Sequence, residues 1–357
     1  MAKKSPDLLP LLFFLFTITL AVTVSWAAYN TPKILPRAIL QTAAASGTPL
    51  SLAQYDAERD KLLNIAKEKD PAVALATLAK DISDVRGIAQ QCHPIAHMIG
   101  RSAYAKYGNF GVAMQYQNEI CNSGYMHGII EAFLNGTGNM FASAAVKLCD
   151  AYPTGTLTAW ECNHGLGHGF MFVTKNDVPK SISLCRLLHG KSEADACVTG
   201  VFMENFGTDP DGTDHVTKYE NPSDPMYPCP IQNTDNKGAC YLYSVGYFMT
   251  LSHNDYQRAL AWCPTTESDY VATCMVGVGS KAIVDFINDP RSAETICDAA
   301  PDGMTSACIL GIVEAYNNQY RSLGSMESLC AKMNGSDQPA CSAAMATVKE
   351  FYPNSVL

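Results

Sequence analysis

Fourteen cysteines constrain the fold of this 357-residue chain more than any other feature. Twelve of them form close couples, whose members lie 11 to 13 residues apart and whose second members recur every 33 to 35 residues, with one step of 43. We predict a disulfide within each couple, because an even count of regularly spaced cysteines without a CxxC motif favours disulfides over zinc thiolates. The predicted pairs are Cys149/Cys162, Cys185/Cys197, Cys229/Cys240, Cys263/Cys274, Cys297/Cys308 and Cys330/Cys341, with Cys92 left to pair with Cys121.

A period near 34 residues is typical of helix-turn-helix repeats. One helix is expected to end at the first cysteine of a couple, and the next helix to open at the second. A single hairpin cannot bury its own apolar stripe, so neighbouring hairpins must stack. The sequence therefore predicts an all-α fold, more than half helical, in which disulfide-stapled α-hairpins form a repeat solenoid (an α/α superhelix) with a concave face. Close approach of adjacent helices is predicted at glycines three residues after a second cysteine: Gly124, Gly165, Gly200, Gly277 and Gly311.

The chain divides into four predicted regions. Two lysines precede an uncharged apolar run, and small residues follow it, which is typical of an export signal. Cleavage of this segment and its retention as a membrane anchor both stay open. We expect an extracytoplasmic protein that is periplasmic, secreted or membrane-anchored, and an acidic insertion at 207–228 accounts for the long step. The regions are 1–28 (signal peptide or membrane anchor), 29–50 (spacer), 51–91 (lead-in helices) and 92–357 (disulfide-stapled helical repeats).

The order of small residues and cysteines within each repeat carries a family resemblance. Ala293, Cys297, a short turn, Cys308 and Gly311 follow one another, and the preceding repeat has the same order. This rhythm, over about residues 140 to 350, resembles the cysteine-rich Sel1-like branch of the tetratricopeptide class. The couples are wider than in those proteins, and Leu-Gly-x-x-Tyr is missing after most second cysteines. The resemblance implies a right-handed α-solenoid that binds another exported protein.

The net charge of the chain limits the classes of molecule that it can bind. Lys and Arg number 25 against 34 Asp and Glu, for a net charge of −9. Nucleic-acid binding needs a basic surface that neutralises phosphates, and none is visible here. Membrane contact is expected only through the N-terminal segment, if that segment is not cleaved.

The histidines cluster in the first three repeats. Five of the eight lie within 76 residues, and His127 and His168 both stand six positions after the second cysteine of a repeat. Stacked repeats place equal offsets side by side, so these two rings should be neighbours. His164 lies one helical turn before His168, and Glu131 lies one turn after His127. His93 and His97 have the same spacing, although the proline after His93 predicts that this residue precedes its helix.

Two imidazoles one turn apart can chelate a divalent cation, and an adjacent helix can complete the site. We predict that His127, His164 and His168 share one metal ion. Imidazole and carboxylate suit zinc, iron or copper, and a thioether ligand would favour copper. The residues expected to complete or support the site are His93, His97, Glu131, Met203 and Glu204.

Two functions remain open, and a third, a hydrolase or oxidoreductase with an organic cofactor, has no motif behind it. The first is a metal-binding protein, with metalloenzyme chemistry undecided because neither HExxH nor GxSxG occurs. The second is a repeat scaffold whose glycine-flanked histidines are structural and whose concave face binds an exported partner. In either case function should depend on the early repeats, while the late repeats extend and cap the array.

Overall fold

The computed structural model describes residues 50–85, 87–207 and 217–355. The predicted signal or anchor segment, nearly all of the spacer and the centre of the 207–228 insertion lie outside these residues. Of the described residues, 72% are helical and none belongs to a strand, which confirms the all-α prediction. No helix within these ranges is long and apolar enough to cross a bilayer.

Two helices lead into the repeats. Helix α1 begins after Ser51, whose hydroxyl accepts from the Gln54 backbone N–H, while the Ser51 backbone N–H donates to the Gln54 side-chain oxygen. Helix α2 begins with Pro71 after the capping carboxylate of Asp70, a position where proline loses no helical hydrogen bond. The described helices are α1 Leu52–Glu68, α2 Pro71–Asp84, α3 Cys92–Tyr107, α4 Phe110–Met114, α5 Ile120–Gly136, α6 Phe141–Ala145, α7 Leu157–Thr174, α8 Val178–Cys185, α9 Lys191–Phe206, α10 Thr234–Leu251, α11 Tyr256–Trp262, α12 Val271–Asp285, α13 Pro290–Asp298, α14 Thr305–Tyr320, α15 Met326–Cys330 and α16 Gln338–Phe351.

All seven predicted disulfides are present, and no cysteine is free. The second cysteines lie in the first or second turn of a long helix rather than at its opening, as with Cys274 in α12 and Cys197 in α9. Each short-range bond therefore fastens a long helix to the chain just before it. A disulfide that closes a loop of this length stabilises the fold by about 3 kcal/mol, because it lowers the entropy of the unfolded chain.

The long helices pack in chain order, from α3 through α5, α7, α9, α10, α12 and α14 to α16. All five predicted close-approach glycines lie where helices meet. A Cβ on any of Gly124, Gly165, Gly200, Gly277 or Gly311 would come within 2.8 Å of an atom of the neighbouring helix. Glycine is required there because real Cβ atoms do not approach so closely.

The array also folds back on itself. Helix α14 packs against α5, although eight helices lie between them in the chain order. The Tyr320 hydroxyl donates to the Ala89 carbonyl at 3.3 Å, and the Arg321 guanidinium pairs with Glu119. Over the described residues the repeats therefore do not extend as an open superhelix, because the late helices lie against the early ones.

Candidate metal centre

Four consecutive long helices supply the site. Helix α3 carries His93 and His97, α5 carries His127 and Glu131, α7 carries His164 and His168, and α9 carries Met203 and Glu204. Helix α3 begins at Cys92, so the prediction that His93 precedes its helix is wrong. Pro94 is the third residue of α3, where the backbone N–H that proline lacks would have no partner within the helix.

Glycines bring the helix backbones close enough for rings from different helices to meet. A Cβ on Gly128 of α5 would lie 2.0 Å from the His97 carbonyl oxygen. A Cβ on Gly165 of α7 would lie 2.6 Å from Cδ2 of His127. The glycines that flank the histidines therefore make room for imidazoles between the helices.

Four imidazoles converge in this space. One ring nitrogen from each of His93, His97, His127 and His168 lies within 4.8 Å of the other three. The rings of His127 and His168 stack with centroids 5.0 Å apart, side by side as their equal offsets predict. Nε2 of His93 and Nε2 of His97 are 2.9 Å apart. Three of the rings are buried and His93 is half-buried.

Three of these rings are fixed in one tautomer by an acceptor on the outer side. Nδ1 of His93 donates to the Cys121 carbonyl at 2.7 Å, because a carbonyl oxygen can only accept. Nδ1 of His97 is 2.7 Å from the Glu131 carboxylate, and Nδ1 of His168 is 2.6 Å from the Glu204 carboxylate. With the proton held on Nδ1, each ring directs the lone pair of Nε2 towards the others.

The fourth ring, that of His127, carries its proton on Nε2 rather than on Nδ1. Nε2 of His127 lies 3.1 Å from the Glu161 carbonyl oxygen and 3.4 Å from the Glu161 carboxylate, so it carries the proton. Nδ1 of His127 is buried and has no hydrogen-bond partner. Four nitrogen lone pairs therefore converge without a donor between them, which is the arrangement that a cation satisfies.

Burial keeps His93, His97 and His127 neutral. Burial and then the neighbouring His168 lower the pKa of His93 to about 4, although the hydrogen bond to the Cys121 carbonyl and the Glu204 charge act in the opposite direction. The pKa values of His97 and His127 also fall well below the ordinary range, first through burial and then through neighbouring histidines. Near neutral pH these imidazoles are therefore in the form that binds metal ions.

Each outer partner comes from the following long helix. The carboxylates of Glu131 and Glu204 hold His97 and His168, and the Glu161 backbone carbonyl accepts from His127. Both carboxyl oxygens of Glu161 are buried without a hydrogen-bond partner, and burial raises the pKa of this carboxyl well above its ordinary value. Such partners set the tautomer and orientation of ligating imidazoles and raise their basicity. The Arg101 guanidinium donates to the second oxygen of Glu131 at 2.9 Å and helps to hold it in place.

Backbone strain is concentrated beside the site. Cys121, Asn122 and Ser123 all have left-handed backbone, with φ between 53° and 58°. This conformation costs about 1–2 kcal/mol for each non-glycine residue. The segment presents the Cys121 carbonyl to His93 and is tied to α3 by the Cys92–Cys121 bond. Strain of this kind persists only where the surroundings impose it, and it accumulates at functional sites.

His164 was predicted to share the ion with His127 and His168, but its ring lies beside the group of four and contributes none of the converging nitrogens. Its Nε2 is 3.2 Å from Nε2 of His168 and 3.2 Å from Sδ of Met203. Glu131 and Glu204 contact imidazoles from outside, and together with His168 they form a second group of ligand atoms within 4.8 Å of one another.

Sequence reasoning missed two contributors, Glu161 and Thr199. Glu161 follows His127 by 34 residues, the same separation as between His97 and Glu131. That repeated interval was a usable signal. Thr199, which lies 2.7 Å from Nδ1 of His164, had no comparable signal.

Comparison with family models, curated proteins and solved structures finds no match to this chain. The resemblance to Sel1-like repeats therefore stays a prediction.

Proposed function

We propose that this chain is an extracytoplasmic metal-binding protein that holds a divalent transition-metal ion between His93, His97, His127 and His168. The observation that supports this most strongly is the convergence of four largely buried lone pairs without a donor among them. Histidines with a purely structural role would each need a hydrogen-bond partner for the inner nitrogen. At the 2.9 Å contact between His93 and His97, both facing nitrogens are acceptors.

Zinc, copper and iron all suit four imidazole nitrogens. The charge also fits, because the nearby carboxylates of Glu131 and Glu204 offset a dication that four neutral rings would leave uncompensated. Zinc enzymes usually bind their ion through three protein ligands and leave a position for water. Four protein nitrogens therefore favour retention of the ion over catalysis at it, and no described group supports a particular reaction.

The disulfides support the compartment. Seven bonds and no free thiol indicate an oxidising environment. We place the protein in a periplasmic or extracellular setting, where metal ions are bound without competition from cytosolic thiols.

The test is metal content and affinity, measured on the full chain purified without a chelator or a histidine tag. We expect about one transition-metal ion per chain, and His168→Ala should weaken its binding by about a hundredfold or more, since loss of an outer partner alone costs ten- to a hundredfold. The control is His189→Ala, which removes an exposed histidine outside the cluster and should change nothing. A native protein that takes up no metal after remetallation, or a His168→Ala variant with native affinity, would refute the proposal.

A further inference from the structure

Helix α7 presents one more imidazole that the four-histidine centre does not use. His164 is fully buried, and its Nδ1 lies 2.7 Å from Oγ1 of Thr199. The single proton of the Thr199 hydroxyl is already donated to the Ala196 carbonyl at 2.6 Å. The hydroxyl oxygen must therefore accept from Nδ1 of His164, which leaves the lone pair of that ring on Nε2.

This lone pair faces only acceptors. Sδ of Met203 is 3.2 Å away and offers lone pairs of its own. Nε2 of His168 is also 3.2 Å away, but its lone pair belongs to the four-histidine centre. Trp160 stacks on His164 with ring centroids 4.9 Å apart and fixes the plane of the imidazole. This rigidly held imidazole and the thioether sulfur therefore present two lone pairs to each other, which is an arrangement that a bound cation would satisfy.

The chemistry of the two atoms selects the ion. Thioether sulfur is a soft ligand that favours Cu⁺ over hard or borderline dications. We propose that His164 and Met203 form a second metal subsite beside the four-histidine centre and that it binds a soft monovalent cation of the Cu⁺ class. This inference rests on the proposed function in one respect, the assignment of Nε2 of His168 to the neighbouring ion.

The surroundings of Met203 suit such a role. Its side chain is half-buried, while His164 behind it is sealed, so an ion reaches the imidazole past the sulfur. An unbranched methionine can move without disturbing the helices, which lets the two ligands separate around an ion. The Asn122 amide donates to Sδ at 3.7 Å and helps to hold the thioether in place.

The test uses the full chain with its disulfides intact and zinc already bound, titrated with Ag⁺ as a redox-inert substitute for Cu⁺. No free thiol competes for the silver. We expect each chain to bind one silver ion in addition to its zinc ion, without release of zinc. Met203→Leu keeps the volume of the side chain and should weaken this binding by at least about tenfold, while zinc affinity stays unchanged. The matched control is Met345→Leu, another half-buried helical methionine, which should bind silver as the native chain does.

Three results would overturn the subsite. The first is displacement of zinc by silver, one for one. The second is a Met203→Leu variant with native silver binding. The third is a His164→Gln variant that loses as much zinc affinity as His168→Ala, which would indicate one five-nitrogen centre. X-ray absorption of the Cu⁺-loaded native chain adds a measurement that needs no variant, and it should detect a sulfur neighbour. A native chain that binds silver through Met203 but takes up no zinc, copper or iron at the four histidines would refute the proposed function alone.

Discussion

The early repeats (α3 to α9) and the late repeats (α10 to α16) share one packing plan but differ in chemistry. A Cβ on Gly200 would lie 1.9 Å from the His164 carbonyl oxygen, and a Cβ on Gly311 would lie 1.9 Å from that of Val276. The sixth position after the second cysteine, in contrast, is histidine in two early repeats but Ser280 and Glu314 in two late ones. Cysteines and glycines therefore determine the packing, and side chains at the sixth position and one helical turn away from it determine what the packed helices can bind.

The sharpest way to separate packing from chemistry is to add one methyl group in each region. Gly165→Ala and Gly311→Ala should both lower the free energy of unfolding, by up to about 3 kcal/mol, because each Cβ would overlap a neighbouring helix. Only Gly165→Ala should also weaken metal binding, since its Cβ meets the His127 ring. Thermal unfolding and metal titration measure the two effects.

The control for this pair is Gly246→Ala, since nothing lies within 4 Å of a Cβ built on that helical glycine. It should leave stability and metal binding close to native. Loss of metal binding in Gly311→Ala, at a stability equal to that of Gly165→Ala, would contradict the division between the two regions.

The C-terminal end of the last repeat should stabilise the helix that carries His168, in addition to covering the apolar face of the array. Asn354 donates to the Thr154 and Gly155 carbonyls at 2.7 and 3.1 Å, and the Leu157 backbone N–H donates to the Ser355 hydroxyl at 2.6 Å. These bonds hold the start of α7, the helix that carries His168. Deleting residues 353–357 should lower the free energy of unfolding by about 2 kcal/mol, at 0.5–1.5 kcal/mol for each bond. Metal affinity should fall less than about tenfold.

Lys349→Ala provides the comparison for that deletion. It breaks an exposed pair with Glu327 inside the last repeat, which should change stability by less than about 1 kcal/mol. Truncated protein with native stability would show that the late repeats only cover an apolar face, as the sequence alone suggested.

The smallest expected effect concerns buried carboxylates. Glu131 in the early region faces His97 and Arg101, whereas Glu294 in α13 accepts from the Asn334 backbone N–H at 2.7 Å and has the Asp337 carboxyl, another acid, as its other neighbour. Burial raises the pKa of Glu294 to about 7. The folded-state pKa exceeds the unfolded value, so the stability that this group contributes is complete below about pH 4.5 and is lost as the pH rises through about 7.

Glu294→Gln should therefore reduce the loss of stability between about pH 5 and 8, by on the order of 1 kcal/mol. Unfolding midpoints across this range measure the change. Glu350→Gln, on an exposed face of α16, should leave the pH dependence as it is. An unchanged pH dependence in Glu294→Gln would show that this carboxyl is equally solvated in the folded and unfolded states.

The sequence determined the local features of this fold better than the distant ones. The disulfides and close-approach glycines follow from spacing alone, because each short-range disulfide joins adjacent segments of the chain and each glycine contacts the neighbouring long helix. The contact between α14 and α5 was not predictable, since a repeat period carries no measure of curvature. Equal offsets indicated correctly that His127 and His168 are neighbours, but which nitrogens converge depends on side-chain orientation and on acceptors such as the Cys121 carbonyl.

The hydrogen-bond partner of each imidazole in the centre belongs to the next long helix. This arrangement limits how the repeat array can change during evolution. No single repeat contains a working share of the site, because a ring and the group that orients it always belong to successive repeats. Inserting or removing one hairpin between Cys121 and Cys197 would preserve several ligands and yet separate them from their partners. Glu204 is the last residue that partners an imidazole of the centre, and the long insertion at 207–228 begins three residues later. The chain therefore accommodates an insertion only after the last helix that contributes to the centre.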